Sequence, residues 1–247
     1  MIRLDQALVE RGLCDSREKA KRAILAGQVR INNQPARKAS DAIKSEDSIS
    51  LEAPEKFVSR GGHKLEHALL HFQLEVAGLT AVDLGASTGG FTDCLLQHCA
   101  AKVFAVDVGQ GQLAWKLRQD KRVVVMEKTN ARHLKLEQMP ETFSPADLAV
   151  IDCSFISLKK ILPTAIALLK TDGKIVALVK PQFEAGKTEV DKGRGVISDP
   201  AIHERVLQEL KEFVAAQNNL VWRSVTESPL LGPAGNKEFL VLIEKTS

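Results

Sequence analysis

Hydrophobic and polar positions along the chain predict an α/β fold over most of its length. From residue 61 onward, apolar runs typical of buried strands alternate with segments whose apolar positions recur at helical spacing. Such alternation predicts a mostly parallel sheet with helices on both faces. The last two runs, LVWRSVTES and KEFLVLIEK, are separated only by residues 229–237. That connection is too short for a helical crossover, so we expect one antiparallel strand at the end of the sheet.

The same pattern locates the individual elements of this region. The predicted helices are HKLEHALLHF, FTDCLLQHCA, QLAWKLRQ, LKKILPTAIALLK and HERVLQELKEFVAAQ. The predicted strands before the last two are KVFAVD, RVVVMEKT, ADLAVIDCSF and GKIVALVKPQF, together with the run that leads into Asp83.

The first 52 residues carry a different pattern, with two short helices and a few short strands. Residues 3–11 and 16–27 have apolar positions at helical spacing, and a glycine follows or ends each segment. Residues 29–31 alternate as a strand does, and residues 49–51 are expected to form a second strand. We therefore predict a small α+β domain at 1–52, a linker at 53–60 and the α/β domain at 61–247.

The charge distribution separates the same two parts. The net charge is +3, but residues 1–45 contain ten Lys and Arg against five Asp and Glu, which leaves −2 on the remainder. A basic segment attached to a nearly neutral body is typical of a module that binds a polyanion such as RNA. A solvated basic helix face is the structural alternative.

Nothing in the sequence predicts secretion or a membrane location. No apolar run reaches the roughly 18 residues that a membrane span needs, and the N-terminus lacks the apolar segment of a signal peptide. The four cysteines form no C-x-x-C pair, as expected for reduced thiols. We therefore expect a cytoplasmic protein without a membrane partner.

The stretch AVDLGASTGGFT, residues 81–92, predicts a ligand site at the end of a strand. A strand, a glycine-rich turn and a helix start bind nucleotide-like ligands in doubly wound sheets. A dinucleotide loop requires glycine where this chain has Ser87, and Asp83 before the turn would repel a phosphate but attract a cationic amino-acid group. Asp107 ends the next strand about 20 residues later, where a carboxylate is expected to bind ribose hydroxyls. The combination indicates S-adenosylmethionine; a nicotinamide-dependent oxidoreductase and a purely structural turn are the alternatives.

Charged residues at the ends of predicted elements are the candidate catalytic groups. Asp152 and Lys180 directly follow apolar runs, at the ends of strands where α/β sheets bind ligands. Lys64 opens a helix and Glu238 begins the last strand. A lysine in such a position is a poor candidate for a solvated surface charge, and it can act as a base or orient a substrate group.

These motifs resemble known families. The set Lys64, Asp152, Lys180 and Glu238 resembles the K-D-K-E set of FtsJ-type ribose 2′-O-methyltransferases. Together with FVSRGGHKL, DLGASTGGFTD and DCSFISL, it resembles the TlyA family, often labelled hemolysin A, over the whole chain. RLDQALVERG and SREKAKRAILAGQVRIN resemble the S-four-type RNA-binding domain over residues 1–52.

The resemblance implies a Rossmann-like class I methyltransferase that uses S-adenosylmethionine to methylate a cytidine ribose of ribosomal RNA. Its partner would be ribosomal RNA or a ribosomal subunit. This chain looks like the shorter members, which implies the large subunit as target, and methylation of both subunits is the alternative. Two competing interpretations are a non-catalytic RNA-binding protein and a membrane-lytic toxin.

The resemblance also implies a role for each site residue. Lys180 would activate or orient the ribose hydroxyl, with Asp152 and Lys64 in a charge network and Glu238 in support. We favour orientation over deprotonation, because an adjacent carboxylate favours the protonated lysine. The expected cofactor contacts are Asp83, Gly85, Ala86, Ser87, Thr88, Gly89, Gly90, Phe91 and Asp107, with Asn130 and Ala131 near the adenine. The expected RNA contacts are Arg3, Arg17, Lys19, Lys21, Arg22 and Arg30.

A metal site is the remaining candidate. His63, His67 and His71 lie at intervals of four residues along one predicted helix, a spacing that can bind a metal. No acid or cysteine elsewhere has matching ligand spacing, so we predict a surface stripe and no metal.

Overall fold

A computed structural model describes residues 1–52 and 55–246. The chain folds as two compact units, Met1–Lys56 and Phe57–Ser247. Ala53 and Pro54, which belong to the predicted linker, lie outside the described residues.

In its described residues, the N-terminal unit contains two helices and five short strands. In chain order these are β1 (Ile2–Arg3), α1 (Leu4–Glu10), α2 (Arg17–Leu25), β2 (Val29–Ile31), β3 (Gln34–Pro35), β4 (Ala42–Ile43) and β5 (Ile49–Leu51). Strands β1 and β4 pair antiparallel, and β2 lies between β3 and β5 in a second antiparallel sheet. The two-residue strands β1, β3 and β4 were not predicted, because an alternating pattern needs more residues than they contain.

The predicted apolar faces of the two helices form the core of this unit. Leu4, Ala7 and Leu8 of α1 pack with residues of α2, β2 and β4 and are fully buried. The side chain of Ser16 caps α2 by accepting a hydrogen bond from the Lys19 N–H at 3.3 Å. The basic residues of α2 are therefore left on its outer side.

The C-terminal unit contains seven helices and seven strands among the described residues. In chain order these are α3 (Gly61–His71), β6 (Thr80–Leu84), α4 (Gly90–Gln97), β7 (Lys102–Val106), α5 (Trp115–Arg118), β8 (Val123–Met126), β9 (Ala146–Ile151), α6 (Leu162–Leu168), β10 (Leu169–Val179), α7 (Pro181–Glu184), α8 (Lys187–Lys192), α9 (Pro200–Ala215), β11 (Leu220–Glu227) and β12 (Phe239–Lys245). Two 3-10 helical turns, Leu136–Gln138 and Leu158–Lys160, complete the unit.

The seven strands form one sheet in the order β11-β12-β10-β9-β6-β7-β8. Strand β12 runs antiparallel to both of its neighbours, whereas β10, β9, β6, β7 and β8 pair in parallel. The prediction of a mostly parallel sheet with one antiparallel strand is confirmed.

Side chains of the central strands alternate between two apolar cores. Val82, Leu84 and Phe104 contribute to the core on one face, and Ala81 and Val103 contribute to the core on the other. This alternation follows from the period of two residues in a strand, and it explains why the buried strands read as continuous apolar runs.

One predicted helix is much shorter than expected. The segment QLAWKLRQ forms only the single turn of α5, because Trp115 is largely exposed and Leu117 is the one residue of the turn that is buried. A helix needs an apolar stripe over several turns to be held against a core.

Proline changes two further elements. The helix predicted for LKKILPTAIALLK is divided into a 3-10 turn and α6, because Pro163 is accommodated in the first turn of a helix and not in its interior. The strand predicted for GKIVALVKPQF ends at Val179, and Pro181 begins α7. Lys180 therefore lies at the junction of a strand and a helix.

The carboxyl ends of β6, β7, β9 and β10 lie side by side in the sheet. Leu84 is in register with Val106 and with Ile151, so the segments that follow these residues meet at one edge. No helix in the described residues is long and apolar enough to cross a membrane.

Candidate active site

The glycine-rich turn after β6 is folded against the ends of both neighbouring strands. The N–H groups of Gly85 and Ala86 donate to the Val106 carbonyl at 2.9 and 3.1 Å, and the Asp152 N–H donates to the Leu84 carbonyl at 3.1 Å. Gly85 has a φ of 91°, and a Cβ at this position would lie 2.9 Å from the Asp152 carbonyl oxygen. Glycine is therefore required for both conformation and space.

Asp107, at the end of β7, holds the turn in place. Its carboxylate accepts the Ser87 N–H on Oδ2 at 2.7 Å and the Gly109 N–H on Oδ1 at 2.7 Å. The two bonds fix the direction of the carboxylate, and each oxygen keeps a lone pair for a ligand hydroxyl.

A cavity of about 460 Å³, named here the Asp107 cavity, opens beside this carboxylate. Its walls include Asn130 and Ala131, which were expected near an adenine, and the apolar side chains of Ile156 and Ile161. A lining that combines carboxylates with apolar side chains suits a ribose joined to a flat base, and the volume is typical of a small-molecule site. The residues of this cavity fit an adenosyl group.

A second cavity of about 450 Å³, named here the Lys180 cavity, adjoins the first. Lys64, Asp152, Lys180 and Glu238 all line it, so the four predicted catalytic residues are brought together although they come from four separate parts of the chain. Ala86, Thr88, Gly90 and Phe91 of the predicted cofactor contacts also line this cavity. The residues that line both cavities are Gly85, Ser87, Asp152 and Ser154.

The four charged residues form two ion pairs. Nζ of Lys180 lies 2.6 Å from Oδ1 of Asp152, and Lys64 pairs with Glu238. The side chains of both lysines are less than a tenth exposed. Lys64 was expected in a network with Asp152, and its ion-pair partner in the structure is Glu238.

Ser154 is a site residue that the sequence reasoning missed. Its Oγ accepts a hydrogen bond from Nζ of Lys180 at 2.8 Å. The signal was present, because Ser154 follows Asp152 by two residues within DCSF. Lys180 is thus held by two partners from the segment after β9.

Glu184 connects the two segments that carry Asp152 and Lys180. Its carboxylate accepts the Ser157 hydroxyl at 2.6 Å and the Leu158 N–H at 2.6 Å. Burial raises the pKa of Glu184, and these hydrogen bonds partly oppose that effect. The bonds tie α7 to the segment that follows β9.

Two predicted cofactor contacts, Asp83 and Gly89, are not among the described residues that line either cavity. Asp83 is fully buried beneath the turn, where its Oδ2 accepts the Thr92 hydroxyl at 2.7 Å. Burial, with smaller contributions from the Asp152 and Asp107 carboxylates, raises the pKa of Asp83 to about 7. Gly89 has a φ of 97° and faces Leu117.

The three helix α3 histidines have other contacts. Nε2 of His67 lies 3.2 Å from Oγ1 of Thr226, and the rings of His67 and His71 are stacked with centroids 6.0 Å apart. Across residues 1–52 and 55–246, no group of three or more His, Cys, Asp or Glu side chains is arranged to hold a metal.

Comparisons with known proteins agree with this architecture. A family model described as FtsJ-like methyltransferase matches residues 57–245, and an S4 domain model matches residues 2–49. A Mycobacterium tuberculosis protein named 16S/23S rRNA (cytidine-2′-O)-methyltransferase TlyA is 46% identical, over 97% of this chain and 88% of its own length. The chain belongs to the TlyA family of FtsJ-like methyltransferases.

Two further relatives align with nearly the whole length of this chain. A Bacillus subtilis protein described as a candidate rRNA methyltransferase, YqxC, is 48% identical over 97% of this chain and 84% of its own length. A solved structure from Streptococcus thermophilus, described as a candidate hemolysin, is 43% identical with a TM-score of 0.75. That match covers 99% of this chain and 88% of the solved one.

In the S4 domain, the predicted RNA contacts differ in their surroundings. Arg3 and Arg17 both bond to Asp5, whereas Lys19 pairs with Asp15 and Arg30 pairs with Glu52. Lys21 and Arg22 are exposed, and neither forms an ion pair within the described part of the chain. The domain thus presents both paired and unpaired cations.

Proposed function

We propose that this protein transfers a methyl group from S-adenosylmethionine to the ribose 2′-hydroxyl of a cytidine in ribosomal RNA. The observation that carries the proposal is the position of Lys180, which is held by Asp152 and Ser154 where the two cavities adjoin. The relative from Mycobacterium tuberculosis, whose name states the same reaction, supports the choice of substrate.

The cofactor is proposed to occupy the Asp107 cavity. When bound, S-adenosylmethionine supplies a methyl carbon bonded to a positively charged sulfur, and this sulfur is the leaving group when a nucleophilic oxygen attacks the carbon in line. Asp107 would accept hydrogen bonds from the ribose hydroxyls, and Asn130 and Ala131 would border the adenine. The enclosing turn is kept in place by the bonds from Ser87 and Gly109 to Asp107.

Lys180 is proposed to orient the substrate hydroxyl. A lysine ammonium group has three N–H donors; one bonds to Oγ of Ser154, and the carboxylate of Asp152 lies beside the same nitrogen as its ion-pair partner. A remaining donor can bind the ribose oxygen and direct one of its lone pairs toward the Asp107 cavity. Orientation is favoured over proton removal by Lys180, because the side chain is already held as an ion-pair partner of Asp152 and a donor to Ser154. The hydroxyl proton would then pass to water as the oxygen–carbon bond forms and the carbon–sulfur bond breaks.

The Lys64–Glu238 pair would form another part of the wall of the same cavity. Both side chains are almost wholly buried, so the pair is held out of water together with its hydrogen bonds. Removing one partner would leave an uncompensated buried charge. We propose that this pair maintains the shape and charge balance of the Lys180 cavity.

The S4 domain would supply affinity for structured RNA, and the protein would act in the cytoplasm on ribosomal RNA or a ribosomal subunit. The large subunit is the proposed target. Methylation of both subunits is the alternative, because the name of the Mycobacterium tuberculosis relative includes both RNAs.

Ribose-methylation mapping of ribosomal RNA, from cells with and without this protein, tests the proposal. We expect one cytidine of the large subunit to lose its 2′-O-methyl group when the protein is absent. Purified protein with S-adenosylmethionine should restore the mark on isolated large subunits. A second lost mark on the small subunit would support the alternative target.

One outcome would contradict the enzymatic proposal, and another would support a different function. Unchanged methylation in both subunits, with RNA binding retained, would indicate a non-catalytic RNA-binding protein. Haemolysis by purified, nuclease-treated protein would instead support the toxin function that the hemolysin names suggest.

A further inference from the structure

Asp5 has no exposed surface, although it lies in the basic S4 domain. Its carboxylate accepts hydrogen bonds from Nε of Arg3 at 3.0 Å, from Nη2 of Arg3 at 3.3 Å and from Nη2 of Arg17 at 3.0 Å. The bonds from Arg3, followed by those from Arg17, outweigh burial and lower the pKa of Asp5 to about 2. Asp5 is therefore a charged group at any pH near neutrality.

The two arginines come from different elements and meet at this one carboxylate. Arg3 ends β1, and Arg17 is the first residue of α2. Their side chains remain about half exposed, at 47% and 54%. A guanidinium group has five N–H donors, so each arginine keeps several donors for a ligand after bonding to Asp5.

Two other predicted RNA contacts of this domain, Lys19 and Arg30, lack such an anchor. Lys19 is paired with Asp15, which is 83% exposed, and Arg30 is paired with Glu52, which is 47% exposed. Exposed ion pairs are weak and exchange readily with water, so they do not fix a side chain. Asp5 differs because it has no exposed surface and bonds to both arginines at once.

We infer that Asp5 is a positioning residue that holds Arg3 and Arg17 together as one binding site for a phosphate group of structured RNA. The inference rests on the proposed RNA substrate. The two guanidinium groups exceed the single carboxylate by one positive charge, so the site attracts an anion. Planar guanidinium groups bind phosphate through paired N–H donors, and fixing them beforehand reduces the rotamer freedom lost on binding.

The variant Asp5→Asn separates positioning from net charge, because the two effects have opposite signs. Removing a negative charge beside two arginines should strengthen RNA binding if only the charge matters. If Asp5 positions the arginines, binding should weaken, by about tenfold at fixed salt, with a smaller salt dependence from the lost phosphate contact. Asp15→Asn is the matched control, because it neutralises an exposed acid on the same domain and should leave affinity unchanged or stronger.

Binding would be measured with the full-length protein and folded ribosomal RNA transcripts over a range of salt concentrations. NMR relaxation of the arginine Nε–H groups gives a second readout, which a purely structural role would not change. Arg3 Nε–H should be rigid in the wild type and mobile in Asp5→Asn. Affinity equal to or above that of the wild type, in a folded Asp5→Asn protein, would overturn the inference.

A further variant covers the case in which Asp5→Asn does not fold. Arg3→Lys keeps the positive charge but replaces the planar guanidinium group, which offers paired N–H donors, with a single ammonium group. RNA affinity should therefore fall. Wild-type affinity in Arg3→Lys would also overturn the inference. The proposed methyl transfer is tested separately by wild-type activity, so its failure would not be confused with failure of the Asp5 variants.

Discussion

Lys180 and Asp152 follow neighbouring parallel strands, and their side chains form an ion pair with Nζ 2.6 Å from Oδ1. The residues are distant in sequence, but the register of β9 and β10 places them at the same edge of the sheet. The Lys180 side chain is only 9% exposed and therefore has little contact with water, whereas the Asp152 side chain is 24% exposed. The lysine is thus fixed by the fold before any substrate binds.

Replacing Lys180 with alanine should abolish methyl transfer while leaving cofactor affinity nearly intact. Lys180 lines the Lys180 cavity and is absent from the described lining of the Asp107 cavity, so its loss removes the donor to the substrate hydroxyl without removing a side chain from the cavity proposed for the cofactor. The measurement is incorporation of labelled methyl groups into ribosomal RNA, together with calorimetry of cofactor binding. Lys121→Ala, at an exposed lysine outside both cavities, is the control. Normal turnover by Lys180→Ala would overturn the proposed mechanism.

Replacing Asp107 with alanine should weaken cofactor binding. The substitution removes the acceptor proposed for the ribose hydroxyls, a loss of about 1–3 kcal/mol for an unpaired polar group. It also releases the N–H groups of Ser87 and Gly109, so the glycine-rich turn loses two bonds that fix it. Isothermal calorimetry with S-adenosylmethionine measures the effect.

The control for this experiment is Glu212→Ala, which removes an exposed carboxylate from α9. Its cofactor affinity should equal that of the wild type. An Asp107→Ala protein that binds the cofactor with wild-type affinity would remove Asp107 from the site.

A fragment that begins at Phe57 should fold and bind cofactor but lose affinity for ribosomal RNA. The start matters, because Phe57 is buried against Gly62 and the Val58 N–H donates to Asp93 at 2.8 Å. A fragment that begins at Gly61 lacks both contacts and should unfold at a lower temperature. Full-length protein should show RNA binding that weakens steeply with salt, as phosphate contacts require.

Circular dichroism and filter binding would measure fold and RNA affinity for the two fragments. If the Phe57 fragment binds ribosomal RNA as tightly as the full chain, the S4 domain does not supply the affinity. If the Gly61 fragment is equally stable, the contacts of Phe57 and Val58 do not contribute to the fold.

The sequence predicted where Asp152 and Lys180 lie because an apolar strand ends directly before each of them. It did not predict that Lys64 would pair with Glu238, since these residues are 174 residues apart and meet only through the packing of α3 against the sheet. The contact between Ser154 and Lys180 likewise depends on how far β9 and β10 extend relative to each other in the sheet. An apolar pattern does not encode that register.

Asp83 shows a second reason why the pattern was insufficient. The sequence motif placed it beside a ligand, but successive side chains of a strand point to opposite faces. Asp83 shares the face of Ala81, toward α4, so it contacts Thr92 beneath the turn. A strand covered on both faces gives no polar signal from which that direction could be read.

The burial of Asp83 predicts a specific dependence of stability on pH. Its pKa is raised from 3.8 to about 7, chiefly by burial, and its Oδ1 has no hydrogen-bond partner among the described residues. Between these two pH values the folded protein keeps a proton that the unfolded chain has lost. The stability contributed by this group is therefore fully present below pH 3.8 and is lost as the pH rises through about 7.

Replacing Asp83 with asparagine should remove this dependence, because an amide oxygen can still accept the Thr92 hydroxyl but carries no ionisable proton. The free energy of unfolding of Asp83→Asn, relative to the wild type, should therefore increase steadily from acidic to neutral pH. Chemical denaturation at a series of pH values measures this difference. Asp172→Asn, at an exposed carboxylate, should show no such trend. Parallel curves for Asp83→Asn and the wild type would mean that Asp83 is ionised in the folded protein, with its charge compensated beneath the turn.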